Sequence, residues 1–149
     1  MTHTFYSLIG IMRLTEEGGA ITRIELTDAA DAHTMLTPLL REAEQQIMVY
    51  LEGKRQVLDF PIRMVGTPFQ QRVWHALQQI PYGTTRTYGE IATAIGNPRA
   101  SRAVGMACNK NPLLLIVPCH RVVGANGQLT GFAYGTDAKQ WLLELESCI

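Results

Sequence analysis

The first sixty residues show an apolar pattern typical of strands, followed by one typical of a helix. Two β-branched apolar runs, Phe5–Leu14 and Ile21–Leu26, are joined by Glu16–Gly19, and this arrangement predicts a hairpin. The apolar positions then change to helical spacing, which ends at Gly53. This second pattern is carried by Leu36, Leu39, Leu40, Ala43, Ile47, Tyr50 and Leu51. The sequence therefore predicts a hairpin followed by a helix.

No period is visible over residues 54–66, so we interpret this stretch as a linker. Residues 1–66 are predicted to form a small N-terminal α+β subdomain that ends in this linker. Residues 67–149 are predicted to form a second domain. The first sixty residues contain no catalytic constellation, whereas the second domain contains several candidate residues.

The second domain begins with clear helix start signals. Thr67 precedes Pro68 and Gln70, and Thr87 precedes Glu90, so each threonine is predicted to begin a helix through a capping box. The first of these helices carries an apolar stripe that we interpret as core: Phe69, Val73, Ala76, Leu77 and Ile80. The second is short, which makes its connection to the next helix important.

Two short helices separated by a tight turn predict a helix-turn-helix. The helix that follows Thr87 ends at Gly96, and Asn97-Pro98 starts another helix over roughly Arg99 to Cys108. Small residues and arginines alternate in this next helix: Arg99, Ala100, Arg102, Ala103 and Gly105. Small residues permit close approach to a surface, and arginine supplies phosphate or base-stack contacts. The pattern predicts a polyanion-binding helix; the alternative is an alanine-rich helix packed on the core.

The distribution of charge supports the first of these interpretations. The formal net charge is zero, but residues 1–60 contain nine acids and five bases. Residues 61–136 contain a single acid, Glu90, and seven bases: Arg63, Arg72, Arg86, Arg99, Arg102, Lys110 and Arg121. A basic half of a neutral protein predicts a surface that binds a polyanion.

A short apolar run, Leu113–Val117, ends at Pro118 and is followed by Cys119, His120 and Arg121. Five apolar residues between prolines are too few for a helix and predict a short strand buried on both faces. Pro118 ends the strand and fixes its own φ, so Cys119 is presented at a rigid end. An ordinary thiol is only about 3% ionised at pH 7. The cations beside it and an imidazole that can accept its proton predict a nucleophile; the alternative is a buried structural cysteine.

The last part of the chain predicts extended structure, a loop and a helix. Val122-Val123 continue the extended segment, and Gly131–Gly135 form a loop rich in glycine and aromatic residues. Thr136-Asp137 are predicted to cap a helix whose core face carries Trp141, Leu142 and Leu145. Glu146 either faces solvent or lies beside His120, and the spacing leaves both positions open.

Composition limits the class of protein. The chain contains three cysteines and no Cys-x-x-Cys pair, which suits a reducing cytoplasm better than a disulfide framework. No apolar run approaches the roughly 20 residues of a membrane span, and the first residues lack a signal-peptide pattern. We therefore expect a cytoplasmic protein that does not bind a membrane.

Pro118–Val122, preceded by the predicted helix-turn-helix, resembles the O6-alkylguanine-DNA alkyltransferases, also called methylated-DNA–protein-cysteine methyltransferases. The resemblance covers about residues 67–146, and the sequence Pro-Cys-His-Arg-Val is highly specific to this family. It implies an α+β protein whose second domain is a mainly helical, helix-turn-helix catalytic domain. Residues 1–66 correspond to the family's variable N-terminal domain only in size and position. The implied activity is irreversible transfer of an alkyl group from O6-alkylguanine in double-stranded DNA to the protein's own cysteine, by a monomer without a cofactor.

The resemblance also implies a role for each catalytic candidate. Cys119 would accept the alkyl group, and His120 would take its proton through a water molecule. Glu146 would orient the imidazole, and Tyr88 would donate a proton or hydrogen bond to the guanine ring. Asn111, eight residues before the cysteine, would hold the loop at the site.

Further implied roles concern DNA and the substrate pocket. Arg102 would fill the base stack while the damaged guanine is flipped into the pocket, with its helix in the minor groove. Other residues expected to contact DNA are Thr87, Asn97, Arg99, Ala100, Ala103, Gly105 and Arg121. The substrate pocket would be lined by Val122, Phe132, Ala133 and Tyr134.

The sequence departs from the family pattern at two loop positions. Phe132 stands where the family usually has tyrosine, and Tyr134-Gly135 stand where it often has two glycines, which would narrow or reshape the pocket mouth. Lys139 is retained. No cysteine precedes Cys108, so the N-terminal zinc site of some relatives is not expected, and no metal site is predicted.

Two other functions stay open at this point. One is a lesion-binding protein in which the changed loop makes transfer slow or absent. The other is a Cys-His hydrolase, although no oxyanion-hole loop is visible and the basic helix-turn-helix would be unexplained. Alkyltransferase-like proteins carry tryptophan in place of the cysteine, so Cys119 argues against membership of that group.

Overall fold

A computed structural model describes residues 1–32, 34–130 and 132–147. The chain divides into two compact units, Met1–Val65 and a second that begins at Gly66. Helices and two small sheets build these units, so the predicted α+β class is confirmed. None of the helices in the described ranges combines the length and apolarity needed to cross a membrane.

The first unit contains a three-stranded antiparallel sheet, β1 (Thr2–Ser7), β2 (Gly10–Glu17) and β3 (Ala20–Thr27), paired in chain order. The predicted hairpin is confirmed between β2 and β3. The run predicted to precede it divides into two strands at the turn Leu8-Ile9, before Gly10 with a φ of 129°. Both turn residues are apolar and give no turn signal, so the sequence did not predict the division into β1 and β2.

Helix α1 (Pro38–Leu51) follows the sheet. The Thr37 hydroxyl accepts the Leu40 N–H at its start, and Gly53 follows its end with a φ of 78°. Its buried apolar face comprises Leu40, Ala43, Ile47, Tyr50 and Leu51. Leu36, which fitted the helical spacing, lies before the helix and is exposed.

The segment interpreted as a linker is mostly exposed, but residues 59–63 are bonded to the first unit. Phe60 is buried, and Ile62 forms a bridge with Ile21. The Ile21 N–H donates to Pro61 at 2.9 Å, and the Arg63 N–H donates to Ile21 at 3.0 Å. A single bridge imposes no hydrophobic period, so the sequence pattern predicted no helix or strand in residues 54–66.

The second unit is mainly helical. Its elements are α2 (Pro68–Gln78), β4 (Arg86–Thr87), α3 (Tyr88–Ala94), α4 (Ser101–Asn109), β5 (Val122–Val123) and α5 (Thr136–Leu145). Both predicted capping boxes are confirmed, with the Thr67 and Thr87 hydroxyls accepting N–H groups three residues on. Strands β4 and β5 pair in parallel, which joins the start of α3 to the segment after the cysteine.

Helices α3 and α4 form the predicted helix-turn-helix. Gly96 has a φ of 82° in the turn, and α4 begins at Ser101, two residues later than predicted. The buried Trp74 on α2 donates its indole N–H to Ala107 on α4 at 2.9 Å. This bond fixes the second helix of the motif to the core of its unit.

The apolar run Leu113–Val117 is buried as predicted, but it is not a continuous strand. Leu114 and Val117 form an isolated bridge, and Leu115 adopts a φ of 76° in the turn between them. The Val117 N–H donates to the Leu113 carbonyl at 2.9 Å, which closes the turn. Burial and a bounding proline predict an extended run, but local hydrogen bonds here replace those of a strand partner.

The start of α5 also differs from the prediction. Gly135, with a φ of 93°, occupies the N-cap, and no side chain caps the helix. Thr136 is already helical, because glycine reaches the required backbone conformation without strain. The residues buried along α5 and at its C-cap are Lys139, Leu142, Leu143 and Glu146, whereas Trp141 and Leu145 are half-buried.

Candidate active site

Cys119 begins a short 3-10 turn, Cys119–Arg121, and is only 4% exposed. Its Sγ donates to the backbone carbonyl of Cys108 at 3.4 Å. Burial raises the pKa of the Cys119 thiol well above its usual value, and the neighbouring Cys108 raises it further, while Asn111 and Lys139 act in the opposite direction. The resting side chain is therefore a thiol that must lose its proton before it can attack.

Asn111 holds the loop that leads to the cysteine. Its Nδ2 donates to the Val117 carbonyl at 2.8 Å, and its Oδ1 accepts the Leu113 N–H at 2.9 Å. One side chain thus closes both ends of the buried turn. The Cys119 N–H also donates to Val117, at 2.8 Å, so the position of the sulfur depends on this loop.

Glu146, whose position the sequence left open, lies beside His120. The distance from His120 Nε2 to Glu146 Oε2 is 2.7 Å, and both side chains are fully buried. Burial lowers the pKa of His120 more strongly than the carboxylate raises it, so the imidazole is neutral. Because a carboxylate only accepts, we assign the proton to Nε2. Nδ1 is then the acceptor, and it is buried without a hydrogen-bond partner among the described residues.

Arg121 lies in the interior, where the expected contact with DNA is not possible. It is 7% exposed, and its Nε and Nη2 donate to Glu146 at 2.7 and 3.1 Å. Its Nη1 donates to the Ile80 carbonyl at 2.8 Å, and the guanidinium lies 5.5 Å from the Tyr82 ring centroid. The carboxylate neutralises its charge, so Arg121 positions Glu146 and offers no cation to a phosphate.

Lys139 matches the family pattern, but the sequence assigned it no role. Its buried Nζ donates to the Val122 carbonyl and, at 2.8 Å, to the Thr130 carbonyl. Burial lowers the pKa of Lys139, and its charge lowers the pKa of Cys119. The spacing of Lys139 relative to Leu142, Leu143 and Glu146 places all four on one helix face, and this signal predicts an inward-facing lysine.

Tyr88, the first residue of α3, donates its hydroxyl to the Thr130 carbonyl at 2.6 Å. Burial is the main cause that raises the pKa of Tyr88 to about 12, so the phenol keeps its proton at neutral pH. The Lys139 Nζ lies 5.8 Å from the centre of its ring. Tyr88 also lines a cleft of about 440 Å³ beside α4, together with Arg102, Gly105 and other residues.

The residues expected to contact DNA do not share one environment. Arg99, Arg102 and Asn97 are exposed, whereas Thr87, Ala103 and Gly105 are half-buried. Ala100 is only 8% exposed, because it occupies the N-cap of α4 and its carbonyl accepts the Val104 N–H. Ala100 therefore offers little side-chain surface, and its contact with DNA stays a prediction.

The loop before α5 holds three of the four expected pocket residues. Phe132 and Tyr134 are half-buried, with ring centroids 5.8 Å apart in an edge-to-face arrangement, and Ala133 is exposed. Val122 is fully buried and presents its carbonyl to Lys139. Gly131, which the sequence placed in the same loop, lies outside the described residues.

These side chains offer three chemical groups in one unit. Cys119 provides a nucleophilic sulfur, His120 an acceptor for its proton, and Tyr88 a phenol that can donate one. Within residues 1–32, 34–130 and 132–147, no group of three or more His, Cys, Asp or Glu side chains could hold a metal ion. The described side chains therefore suit nucleophilic attack with proton transfer.

Comparisons with known proteins agree with this chemistry. The family model described as "6-O-methylguanine DNA methyltransferase, DNA binding domain" matches residues 68–148. A methylated-DNA–protein-cysteine methyltransferase of Methanosarcina acetivorans is 60% identical over 109 residues, which cover 72% of this chain and 70% of the relative. The constitutive methylated-DNA–protein-cysteine methyltransferase of Bacillus subtilis is 43% identical over 93% of this chain and 90% of the relative. The Mycobacterium tuberculosis OGT crystallised with DNA is 44% identical and superposes with a TM-score of 0.89. The superposition covers 98% of this chain and 92% of that protein.

Proposed function

Because this chain belongs to the O6-methylguanine DNA methyltransferase family, we propose that it repairs DNA by transferring the alkyl group of O6-alkylguanine to its own Cys119. The observation that carries this proposal is the buried thiol in the same unit as a neutral His120 that is hydrogen-bonded to the Glu146 carboxylate. Arg99, just before α4, and Arg102 on α4 are exposed and supply a DNA-binding surface in that unit. Double-stranded DNA is the partner, and the protein acts as a monomer because one unit contributes every candidate residue.

Activation of the sulfur begins with removal of its proton. Burial raises the pKa of Cys119, so the thiol is unreactive until a base takes the proton. His120 is suited to this role because its imidazole is neutral and its Nδ1 is available as an acceptor, through a bridging water. Glu146 then stabilises the imidazolium across the 2.7 Å contact, and Lys139 stabilises the thiolate.

Attack forms the bond between Sγ of Cys119 and the alkyl carbon while the bond from that carbon to O6 breaks. The electron pair goes to the departing guanine, which would leave as an anion without a proton donor. Tyr88 is suited to donate to the ring, because its phenol stays protonated with a pKa of about 12. The guanine then leaves neutral with the phenol proton, and the sulfur carries the alkyl group as a thioether. The His120 imidazolium returns the proton taken from Cys119 to the Tyr88 phenolate through water.

DNA contact is assigned to the exposed side of the helix-turn-helix. Extruding a base from the duplex costs a few kcal/mol, and an inserted side chain offsets part of that cost. Arg102 is exposed on α4 and borders the same cleft as Tyr88, so we assign it this role. Further contacts are assigned to Thr87, Asn97, Arg99, Ala103 and Gly105, and the pocket wall to Phe132, Ala133, Tyr134 and the backbone of Val122.

Substitution of Arg102 by alanine should slow repair of duplex DNA by at least about tenfold, the equivalent of about 1.4 kcal/mol. Reaction with free O6-benzylguanine should change little, because no base has to leave a stack. The measurement is the second-order rate constant of each reaction. Arg41→Ala, which removes an exposed arginine from α1, is the matched control and should leave both rates unchanged. Equal slowing of both reactions by Arg102→Ala would assign the arginine to folding instead.

Exposure to a duplex that contains O6-methylguanine should increase the mass of the Cys119 peptide by one methyl group in place of one hydrogen. The expected site follows from the sequence, because Cys119 directly precedes His120, whose ring is hydrogen-bonded to Glu146. Digestion and mass spectrometry of the full chain give the result directly. Tight binding of this duplex with an unmodified Cys119 would favour the alternative function, a lesion-binding protein. Acylation of Cys119 by an ester substrate would favour a hydrolase.

A further inference from the structure

Cys108 is a second buried thiol that alkyl transfer does not use. It lies on the last turn of α4, is 3% exposed and forms no disulfide. Its backbone carbonyl lies 3.4 Å from Sγ of Cys119, which is also buried and free. The Cys108 side chain also acts directly on the pKa of Cys119, as expected of two thiols in one pocket. The two residues with buried free thiols are thus in contact, and only one of these thiols has an assigned role.

We propose that Cys108 and Cys119 form a reversible disulfide when the protein meets hydrogen peroxide, so that Cys108 is a resolving cysteine for the alkyl-acceptor thiol. Peroxide oxidises the Cys119 thiol to a sulfenic acid and is reduced to water. The Cys108 sulfur then attacks the sulfenic sulfur, and a second water leaves as the sulfur–sulfur bond forms. Each chain loses two hydrogens, and one peroxide molecule accepts the two electrons.

Proximity decides the outcome once the sulfenic acid exists. A sulfenic acid without a neighbouring thiol proceeds to sulfinic acid, which thiol reductants do not reverse. Sγ of Cys119 is hydrogen-bonded to the residue that carries the second thiol, so condensation within the chain is favoured over a second encounter with peroxide. The disulfide blocks the acceptor sulfur but preserves it.

Burial sets the pH dependence of the first step. The thiolate is the species that peroxide oxidises, and the pKa of Cys119 is raised by burial, with Cys108 raising it further and Asn111 and Lys139 lowering it. His120 shares the short turn with Cys119, and its pKa is also lowered by burial. Oxidation should therefore be slower than that of an exposed thiol at neutral pH and should accelerate as the pH rises.

The experiment uses the full chain with Cys148→Ser, which leaves Cys108 and Cys119 as the only thiols. After treatment with hydrogen peroxide and capping of free thiols, the intact mass should fall by two hydrogens, with neither thiol capped. Digestion should yield one product that joins the peptides of Cys108 and Cys119. Dithiothreitol should restore the original mass and the ability to accept a methyl group.

Cys108→Ser in the same background is the comparison variant. Peroxide should add oxygen atoms to Cys119 of this variant. Where two or more oxygens are added, giving a sulfinic or sulfonic acid, dithiothreitol should not remove them. Absence of the two-hydrogen loss in Cys148→Ser, or an equal loss in Cys108→Ser, would overturn the proposal. The mass readout does not depend on alkyl transfer, so failure of the repair function and failure of the disulfide are separate results.

Discussion

Incubation with excess duplex DNA containing O6-methylguanine should leave at most one methyl group on each chain, however long the reaction continues. The product at Cys119 is a thioether, which has no activated carbonyl and no sulfur–sulfur bond for water or another thiol to attack. The assigned steps use His120, Glu146, Lys139 and Tyr88, and none of these side chains can remove an alkyl group from sulfur. Methyl groups bound per chain, followed by mass spectrometry over time, should rise to one and stay there.

Cys119→Ser should abolish this transfer, because an alcohol is far less acidic than a thiol and His120 cannot ionise it at neutral pH. Binding of the duplex should be retained, since Arg102 on α4 and Arg99 just before it are exposed and do not depend on the sulfur. Cys148→Ser is the matched control and should retain transfer. Either repeated turnover by the unmodified chain or methylation of the Cys119→Ser variant would contradict the mechanism.

Local signals predicted the starts of α2 and α3 accurately. The Thr67 and Thr87 capping boxes join residues three positions apart, so the sequence contains both partners of each hydrogen bond. Gly53 and Gly96 follow helices with positive φ values, which the lack of a Cβ permits. The helix-turn-helix follows from these signals because its geometry depends on a turn of only a few residues.

The environment of the charged residues could not be predicted in the same way. Arg121 looked like a cation for the thiol and for DNA, because it follows Cys119 and His120 in the sequence. Its charge is instead neutralised by Glu146, which lies 25 residues later in the chain. Lys139 supplies the positive charge near Cys119 from a separate helix. Such pairings are set by tertiary packing, and sequence distance does not encode them.

The buried run before the cysteine illustrates a second limit. Five apolar residues between prolines predict burial correctly, but burial is compatible with a strand and with a tight turn. Leu115 adopts a φ of 76°, and Asn111 bonds both ends of the turn. The hydrogen bonds of the Asn111 side chain take the place of those that a partner strand would make. They depend on the rotamer of Asn111, which the apolar pattern does not encode.

Glu146→Gln should both destabilise the second unit and slow repair. The carboxylate is fully buried and accepts from Arg121 at 2.7 and 3.1 Å, while its Oε2 lies 2.7 Å from His120. A neutral amide removes the carboxylate charge that the buried Arg121 guanidinium faces, which costs about 3–5 kcal/mol. That loss is a large part of the free energy of unfolding of a typical domain, which is about 5–15 kcal/mol. Denaturant unfolding measures it.

The same substitution should lower the rate of methyl transfer by about 100- to 10,000-fold, the usual contribution of a positioned general base. Glutamine cannot stabilise the imidazolium, so the pKa of His120, already lowered by burial, falls further and the base accepts the Cys119 proton less readily. The rate should be measured at a temperature where circular dichroism shows the variant folded, which separates catalysis from stability. Glu144→Gln removes an exposed carboxylate from the same helix, bonded only to Gln140, and should change stability by less than about 0.5 kcal/mol. A folded Glu146→Gln variant that repairs DNA at the original rate would remove the His120–Glu146 pair from the mechanism.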